Sequence, residues 1–142
     1  MHITKKSGYG LIAMMELADR EGGEEEFIST AEISDKYNLP RPFLEKIMGE
    51  LRKGELVEVK RGRGGGYGLK EEPSSITVRQ IVAALDGNNL APVSCLGNNG
   101  KGDCPLESFC PALGLWEDVQ NRLDDILTSY SLQDLLENGK FE

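Results

Sequence analysis

A helical pattern is followed directly by a hairpin pattern in residues 41–69, which are RPFLEKIMGELRKGELVEVKRGRGGGYGL. Apolar residues recur at three- and four-residue spacing in the first half, Pro42 is tolerated because it falls in the first helical turn, and Gly54 can close the helix. Residues 56–61 then alternate between apolar and charged side chains, as a strand does. A glycine-rich turn, residues 62–66, and a short return strand complete the pattern. The stretch therefore predicts one helix and a two-stranded hairpin.

Two further helices are predicted upstream of this stretch. The first begins after a capping residue, Thr4 or Ser7, and the second spans residues 31–37 after Ser29 or Thr30. Helix, short helix, turn, helix and hairpin is the order of a winged helix-turn-helix, so we predict a mainly α fold with a small β-hairpin. In that arrangement the third helix enters the major groove of DNA, and the hairpin (the wing) reaches the adjacent backbone or minor groove.

The downstream half predicts a connector, a loop and a long helix. Thr77 caps a helix to Leu85, residues 87–102 are rich in Gly and Asn, Pro111 starts a long amphipathic helix, and Ser131 starts a short last one. The apolar positions of the long helix are Leu115, Val119, Leu123, Ile126 and Leu127. Because so apolar a helix at the edge of a small domain needs a second surface, we predict that it forms a homodimer.

The composition is that of one globular unit. The 142 residues are 39% hydrophobic, which is enough for a core, and no apolar run approaches the roughly 18–20 residues that span a bilayer. The first residues do not resemble a signal peptide, so we expect a cytoplasmic protein. We divide the chain into residues 1–72, a winged helix-turn-helix DNA-binding domain, and residues 73–142, with the connector helix, the cysteine loop and the dimerisation helix.

The net charge of −8 is unevenly distributed along the chain. Residues 103–142 carry a net charge of −7, whereas residues 40–63, which span the third helix and the wing, carry +3. Because a phosphate backbone responds to the local field within about 8–10 Å, the basic region favours DNA binding despite the overall acidity.

Six side chains are the predicted DNA contacts. Three lie on the third helix and three on the wing: Arg41, Glu45, Lys46, Lys60, Arg61 and Arg63. A glutamate can accept a hydrogen bond from cytosine N4, and arginine gains from the negative potential of a narrow minor groove. Two alternatives stay open, that Glu45 is a solvated acid paired with a nearby lysine, and that the wing has no ligand. The glycine-rich turn is not a phosphate-binding loop, because a strand follows it rather than a helix.

All three cysteines fall in one segment, here called the cysteine loop (residues 87–110). Cys95, Cys104 and Cys110 have the spacing C-x8-C-x5-C, and three thiolates in a Gly/Asn-rich loop favour a soft metal or an iron–sulfur cluster, either 2Fe-2S or 4Fe-4S. Zinc would normally need a fourth Cys or His, and His2 is the only histidine. The alternative is three free thiols or a reactive pair. Since no catalytic arrangement is visible, we predict that the protein is not an enzyme.

Together these motifs resemble the Rrf-two family of winged helix-turn-helix transcriptional regulators, of the IscR, NsrR and CymR type. The resemblance rests on Met1-x-Ile3-Thr4-Lys5, Leu44-Glu45-Lys46, Arg61-Gly62-x-Gly64-Gly65-Gly66-Tyr67, and a three-cysteine loop followed by Leu115-Trp116. Residues 74–78 and 116–136 are most similar to the iron–sulfur branch. The resemblance implies a homodimer with crossed long helices on a pseudo-palindromic operator. It also implies that Glu45 contacts bases, that Arg61 enters the minor groove, and that Cys95, Cys104 and Cys110 hold a cluster.

This sequence departs from the family pattern around the cysteines. The first gap is eight residues instead of five, Leu113 stands where cluster-binding members have a histidine, and Gly8 stands where others supply an acid from the partner's first helix. The fourth ligand and the cluster type therefore stay open. We expect a regulator, with repression favoured over activation, that senses cluster status, redox state or nitric oxide. The alternative is a winged-helix regulator controlled by a protein partner or by thiol oxidation without a cluster.

Overall fold

A computed structural model describes residues 3–88, 91, 106 and 109–138. The elements in chain order are α1 (Lys5–Arg20), α2 (Thr30–Tyr37), α3 (Arg41–Lys53), β1 (Val57–Lys60), β2 (Gly66–Leu69), a 3-10 turn (Pro73–Ser75), α4 (Val78–Asp86), α5 (Leu113–Ser129) and α6 (Leu132–Asn138). The predicted fold, mainly helical with one small hairpin, is confirmed. No helix in these ranges has the length and apolar character to cross a membrane.

The core lies between α1, α2 and α3, and its members follow the helical spacing of the sequence. The central side chains are fully buried: Ala13, Met14, Ile33, Ile47, Met48 and Leu51. The turn between α2 and α3 is built by Asn38, whose φ of 53° lets the chain reverse. The Leu39 N–H donates to the Ser34 carbonyl at 3.1 Å, and the Ser34 hydroxyl donates back to the Leu39 carbonyl at 2.6 Å. These contacts fix the angle at which α3 leaves α2.

The wing is held against the rest of the domain by its second strand. β1 and β2 pair antiparallel, with Val57 opposite Leu69 and Lys60 opposite Gly66. Beyond this pair, Tyr67 exchanges two backbone hydrogen bonds with Ile28, at 2.8 and 3.0 Å. The segment between α1 and α2 therefore acts as a third, one-residue strand that anchors the hairpin.

The winged helix-turn-helix from α1 to β2, here called the head, shares one core with the connector, which is the 3-10 turn and α4. Ile76, Ile81, Leu85 and Leu132 pack with the buried side chains of α1 and α3. The Leu132 N–H donates to the Ile76 carbonyl at 2.9 Å, so that α6 returns to the head after α5. One core therefore contains residues from both sides of the predicted boundary between residues 72 and 73. The assignment of DNA binding to residues 1–72 and of dimerisation to residues 73–142 stays a prediction.

The long helix α5 differs from all the others because none of its residues is buried. Leu123 and Leu127 pack against Val78 and Val82 of α4. Three of the five apolar positions that the sequence places at core spacing face outward instead: Leu115 is 58% exposed, Ile126 is 55% exposed and Val119 is 36% exposed. This outer side, continued by the exposed Tyr130, is the apolar surface that a single chain leaves uncovered.

A buried carboxylate joins α2 to α1. Glu16 is 1% exposed, and its oxygens accept hydrogen bonds from Lys36 Nζ at 2.8 and 2.9 Å, from the Tyr37 hydroxyl at 2.7 Å and from Arg20 Nε at 3.1 Å. Burial alone raises the pKa of Glu16, but the hydrogen bonds from Lys36, Tyr37 and Arg20 outweigh it, and the pKa lies below its ordinary value.

This carboxylate should make stability depend on acid. Because its pKa is lower in the folded than in the unfolded chain, Glu16 stabilises the fold above about pH 4.5, and that contribution is lost as the pH falls through the folded-state pKa. We expect Glu16→Gln to lower the free energy of unfolding by about 2 kcal/mol at neutral pH and to flatten its dependence on pH below 5. Urea unfolding between pH 3 and 7 measures both effects.

Asp118→Asn is the matched control, since Asp118 forms only an exposed pair with Arg122 within α5. Its cost should stay below about 0.5 kcal/mol. Equal costs for the two variants, or an unchanged acid dependence in Glu16→Gln, would contradict the interpretation.

Candidate nucleic-acid interface and cysteine loop

The polar face of α3 is opposite its buried stripe. Because Leu44, Ile47 and Leu51 turn into the core, the helical period places Arg41, Glu45 and Lys46 outside, and all three are exposed. Arg41 Nε lies 3.3 Å from Glu45 Oε1. Glu45 is therefore paired within its helix, with an arginine rather than with the lysine considered above. An exposed pair of this kind contributes only about 0.3–0.5 kcal/mol, so a base or phosphate can replace either partner at little cost.

The wing carries its basic side chains at the tip. Lys60 ends β1, Arg61 and Arg63 follow in the turn, and all three are exposed. Gly62 and Gly64 have φ values of 96° and 73°, left-handed backbone that glycine adopts without a steric cost. Within the described residues, no acidic side chain pairs with Lys46, Lys60, Arg61 or Arg63, although the Lys60 ammonium lies 5.8 Å from the centre of the Phe27 ring. These cations are thus available to an anionic partner.

Gly65 and Gly66 are required by close backbone approach. A Cβ on Gly66 would lie 2.4 Å from the Ile28 carbonyl carbon and oxygen, and a Cβ on Gly65 would lie 2.2 Å from the Lys60 carbonyl oxygen. Gly66 also has a φ of 150°. The glycine run therefore allows the wing to pack against Ile28 and allows its own turn to close.

An acidic loop borders the wing on one side. A groove of about 500 Å³ lies between residues 23–27 and the wing residues Lys60, Gly64 and Gly65, and Glu24, Glu25 and Glu26 line it. From the sequence alone these glutamates are only a solvated loop. Their negative field repels an anionic partner on this side of the wing.

The cysteine loop is only partly described. Cys95 and Cys104 lie outside the described residues, as do His2, Asp103 and Glu107, which are further possible ligands. Cys110 is half-buried and its thiol is free. No group of three Cys, His, Asp or Glu side chains is placed for a metal ion among residues 3–88, 91, 106 and 109–138. Of the donor set, Cys110 is therefore an accessible thiol that no disulfide occupies, as a soft-metal ligand must be.

One other possible ligand, Tyr9, lies in α1 and is partly buried. The ring of Tyr9 packs edge-on against Phe43, with 5.6 Å between the ring centroids. The position three residues after the last cysteine, Leu113, is the first residue of α5. Leu113 is apolar and supplies no donor, whereas the contact of Tyr9 involves its ring and not its hydroxyl oxygen.

The structure adds two residues that the sequence analysis missed. Glu16 orients α2, and Arg79 bridges α4 and α5, with its Nε 2.5 Å from Asp124 Oδ1. Both are charged side chains in otherwise regular amphipathic helices, and their partners are 20 and 45 positions away. No local pattern in the sequence signals either of them.

Comparison with known proteins places the chain in a family. The pattern of the family Rrf2, iron-dependent transcriptional regulator, matches residues 3–138. The HTH-type transcriptional regulator IscR of Escherichia coli (strain K12 / DH10B) is 34% identical over 97% of this chain and 82% of its own length, and that of Vibrio campbellii is 31% identical over 99% and 80%.

Solved structures agree with the family match. CymR (YrzC), the global cysteine regulator of B. subtilis, superposes with a TM-score of 0.82 at 33% identity, covering 99% of both chains. IscR of T. potens superposes with a TM-score of 0.76 at 30% identity, covering 97% of this chain and 88% of that one. The chain therefore belongs to the Rrf2 family of winged helix-turn-helix transcriptional regulators.

Proposed function

We propose that this protein is a homodimeric repressor whose affinity for a pseudo-palindromic operator is controlled by an iron–sulfur cluster bound to Cys95, Cys104 and Cys110. The observation that carries the proposal is where the cysteine loop is attached. It leaves α4, which is part of the head's core, and enters α5, which has no buried residue. A change in the loop therefore acts directly on α5, which among the described helices is the one without a buried residue.

The dimer is supported by the uncovered apolar side of α5. Leu115, Ile126 and Tyr130 are each about half exposed or more. Exposure of this apolar surface to water is unfavourable, and a second α5 packed against it would remove that unfavourable free energy. Two heads joined through α5 present two α3 helices and two wings, as a two-fold related operator requires. In this proposal residues 1–72 contact the DNA and residues 73–142 sense the signal and dimerise.

The six exposed side chains have separate roles in the proposed complex. Glu45 and Arg61 contact bases, in the major and the minor groove respectively, while Arg41, Lys46, Lys60 and Arg63 contact phosphate or guanine. Since Glu16 fixes α2, and α2 fixes α3 through the turn at Asn38, these side chains are presented at a defined angle to the wing.

When bound, the cluster supplies a group that reacts with oxidants and nitric oxide. The chain's own part is to hold that group by thiolates at Cys95, Cys104 and Cys110 and to transmit its presence through the two ends of the loop. For control of binding, the loaded and unloaded forms must favour different positions of the two heads, and coupling of about 5–150-fold in affinity is the usual scale.

Anaerobic purification tests the proposal. Wild-type protein should be brown, with a Mössbauer spectrum that defines the cluster, and its affinity for duplexes selected from a random library should change about 5–150-fold when the cluster is removed. The variant with all three cysteines changed to alanine should be colourless and should bind with the affinity of the unloaded form. If this variant binds every selected duplex as the loaded wild type does, the proposal fails.

A second candidate is control by thiol oxidation without a cluster. It is favoured by the free, accessible thiol of Cys110 and by the likeness to the global cysteine regulator of B. subtilis. In that case the anaerobic protein is colourless, and treatment with a thiol oxidant changes its operator affinity while the triple alanine variant does not respond.

A further inference from the structure

The side chain of Arg79 contacts two segments at once. Arg79 is the second residue of α4, and its Nε lies 2.5 Å from Asp124 Oδ1 in the middle of α5. Its Nη2 donates to the backbone carbonyl of Asn88 at 2.9 Å. The side chain is only 18% exposed. One guanidinium therefore touches α5 and the first residues after α4.

These two contacts lie at the base of the cysteine loop. Asn88 follows the end of α4 by two residues, and the segment with Cys95 and Cys104 begins directly after it. Asp124 belongs to the helix that the loop enters after Cys110. Among the described residues, Arg79 with Asp124 is the one ion pair that joins α5 to α4, since the other pair on α5, Arg122 with Asp118, is internal to the helix.

The chemistry of the guanidinium makes the two contacts interdependent. The third nitrogen, Nη1, is buried and has no acceptor within the described part of the chain. Among the described residues, the guanidinium is compensated by the Asp124 carboxylate and by the Asn88 carbonyl. Losing either contact leaves a cation that is desolvated and poorly paired, which is costly, so the position of Asn88 and the position of α5 favour each other.

The rest of the contact between α4 and α5 is weaker. Leu123 and Leu127 meet Val78 and Val82, but neither leucine is buried. Apolar contacts of this kind are not directional, and the backbone hydrogen bond from the Val78 N–H to the Tyr130 carbonyl, at 2.9 Å, holds only the first residue after α5. These contacts therefore still permit α5 to turn about that end. The Arg79 guanidinium, bonded to both Asp124 and the Asn88 carbonyl, selects one of these positions of α5.

We propose that Arg79 is the positioning residue that couples the base of the cysteine loop to the placement of α5 against the head, a role that rests on the proposed function of that loop. A displacement of Asn88 weakens the hold on Asp124, and a displacement of α5 weakens the hold on Asn88. Arg79 contacts neither the DNA-facing side of α3 nor the wing, so it sets the response to the signal and not the contacts with bases.

The test compares Arg79→Gln, Arg79→Lys and Asp124→Asn with Arg122→Gln. The last variant is the matched control, because Arg122 has the same side chain and an acidic partner but is exposed and bonded only within α5. The first measurement uses colourless, cluster-free protein: hydrogen exchange of the amides of α5 and of residues 86–88. The second is the ratio of operator affinities between cluster-loaded and cluster-free forms of each variant.

We expect Arg79→Gln and Asp124→Asn to speed exchange in α5 about tenfold or more, and Arg122→Gln to leave it unchanged. Arg79→Gln should also speed exchange at residues 86–88, and it should compress the affinity ratio to less than about threefold while the cluster-free affinity stays as in the wild type. Arg79→Lys should restore part of the protection in α5, since lysine keeps the positive charge but lacks the planar guanidinium that bonds Asp124 and Asn88 at once.

Two outcomes would overturn the inference. One is a full wild-type ratio in Arg79→Gln, and the other is an equal loss of affinity in both forms, which is what a merely structural role produces. If wild-type protein itself shows no difference between its two forms, the proposed function fails instead, and the exchange measurement still decides whether Arg79 holds α5.

Discussion

Gly66→Ala is expected to lower the free energy of unfolding by about 3 kcal/mol or more and to abolish operator binding. Two costs add at this position. The φ of 150° is strained for a residue with a Cβ, which costs about 1–3 kcal/mol. The new Cβ would also lie 2.4 Å from the Ile28 carbonyl, and forcing backbone apart in a packed region costs a further 1–3 kcal/mol or so. Urea unfolding followed by far-ultraviolet circular dichroism measures the sum.

Operator binding should fail because the clash falls on the anchor of the wing. Relief requires β2 to move away from Ile28, and the two backbone hydrogen bonds between Ile28 and Tyr67 then break. The hairpin would keep its internal pairing but lose its fixed angle to α3. Arg61 and the side chains of α3 could then no longer reach adjacent grooves together.

Gly64→Ala separates the two costs. Gly64 also has a positive φ, 73°, but no atom lies within 4 Å of a Cβ built there. Only the conformational cost of about 1 kcal/mol applies, and the anchor at Ile28 is untouched. If Gly66→Ala proves as mild as Gly64→Ala, the seating of β2 against Ile28 does not hold the wing in place.

The local signals in the sequence predicted the elements of this fold well, for physical reasons. Side-chain caps act within three residues, so Thr4, Ser29 and Thr77 mark helix starts that the structure confirms. Apolar spacing likewise depends only on the helical period, and it identified the buried side of α3. Gly54 does end α3, but its φ is negative, and Glu55 takes the left-handed conformation instead. Gly54 is small because the Cβ of Ala84 approaches to 3.0 Å of where its own would be.

Long-range features were beyond these signals. The apolar pattern of α5 does not distinguish a side that faces its own chain from one that faces another, so by their spacing Leu115 and Ile126 look the same as Leu123 and Leu127. The return of α6 to the head depends on Leu132 meeting the core formed by α1, more than a hundred residues earlier in the chain. No periodicity within a single helix contains that information.

The exposed charges of the candidate site could be predicted from the sequence, but the contacts that fix its geometry could not. Exposure of the basic side chains on α3 and the wing follows from sequence, because a cation without a nearby acid stays in solvent. The acidic groove beside the wing does not follow, since residues 24–26 and residue 60 are brought together by long-range contacts such as the pairing of Ile28 with Tyr67. The same pairing also packs the end of the glycine run against Ile28, so that the turn is fixed in position.

Arg61→Ala should weaken operator binding by about a hundredfold or more while leaving the fold intact. Arg61 is exposed and makes no ion pair with a described residue, so removing it costs the free protein little. An arginine that contacts bases contributes about 1–3 kcal/mol, and in the proposed dimer both wings lose it. Because base contacts carry sequence information, binding to unrelated duplexes should fall much less than binding to the operator.

Two further substitutions distinguish a base contact of Arg61 in the minor groove from an effect of its positive charge alone. Arg61→Lys keeps the charge but not the flat, weakly hydrated guanidinium, so it should restore non-specific affinity and only part of operator affinity. Lys70→Ala removes one positive charge at the other end of the hairpin, where Lys70 pairs with Glu55, and should change operator affinity less than about threefold. Titrations at several salt concentrations separate the contributions, since loss of a phosphate contact lowers the salt dependence by about one counterion whereas loss of a base contact does not. If Lys70→Ala weakens binding as much as Arg61→Ala, the wing contributes only its net charge, and the assignment of Arg61 to the bases is wrong.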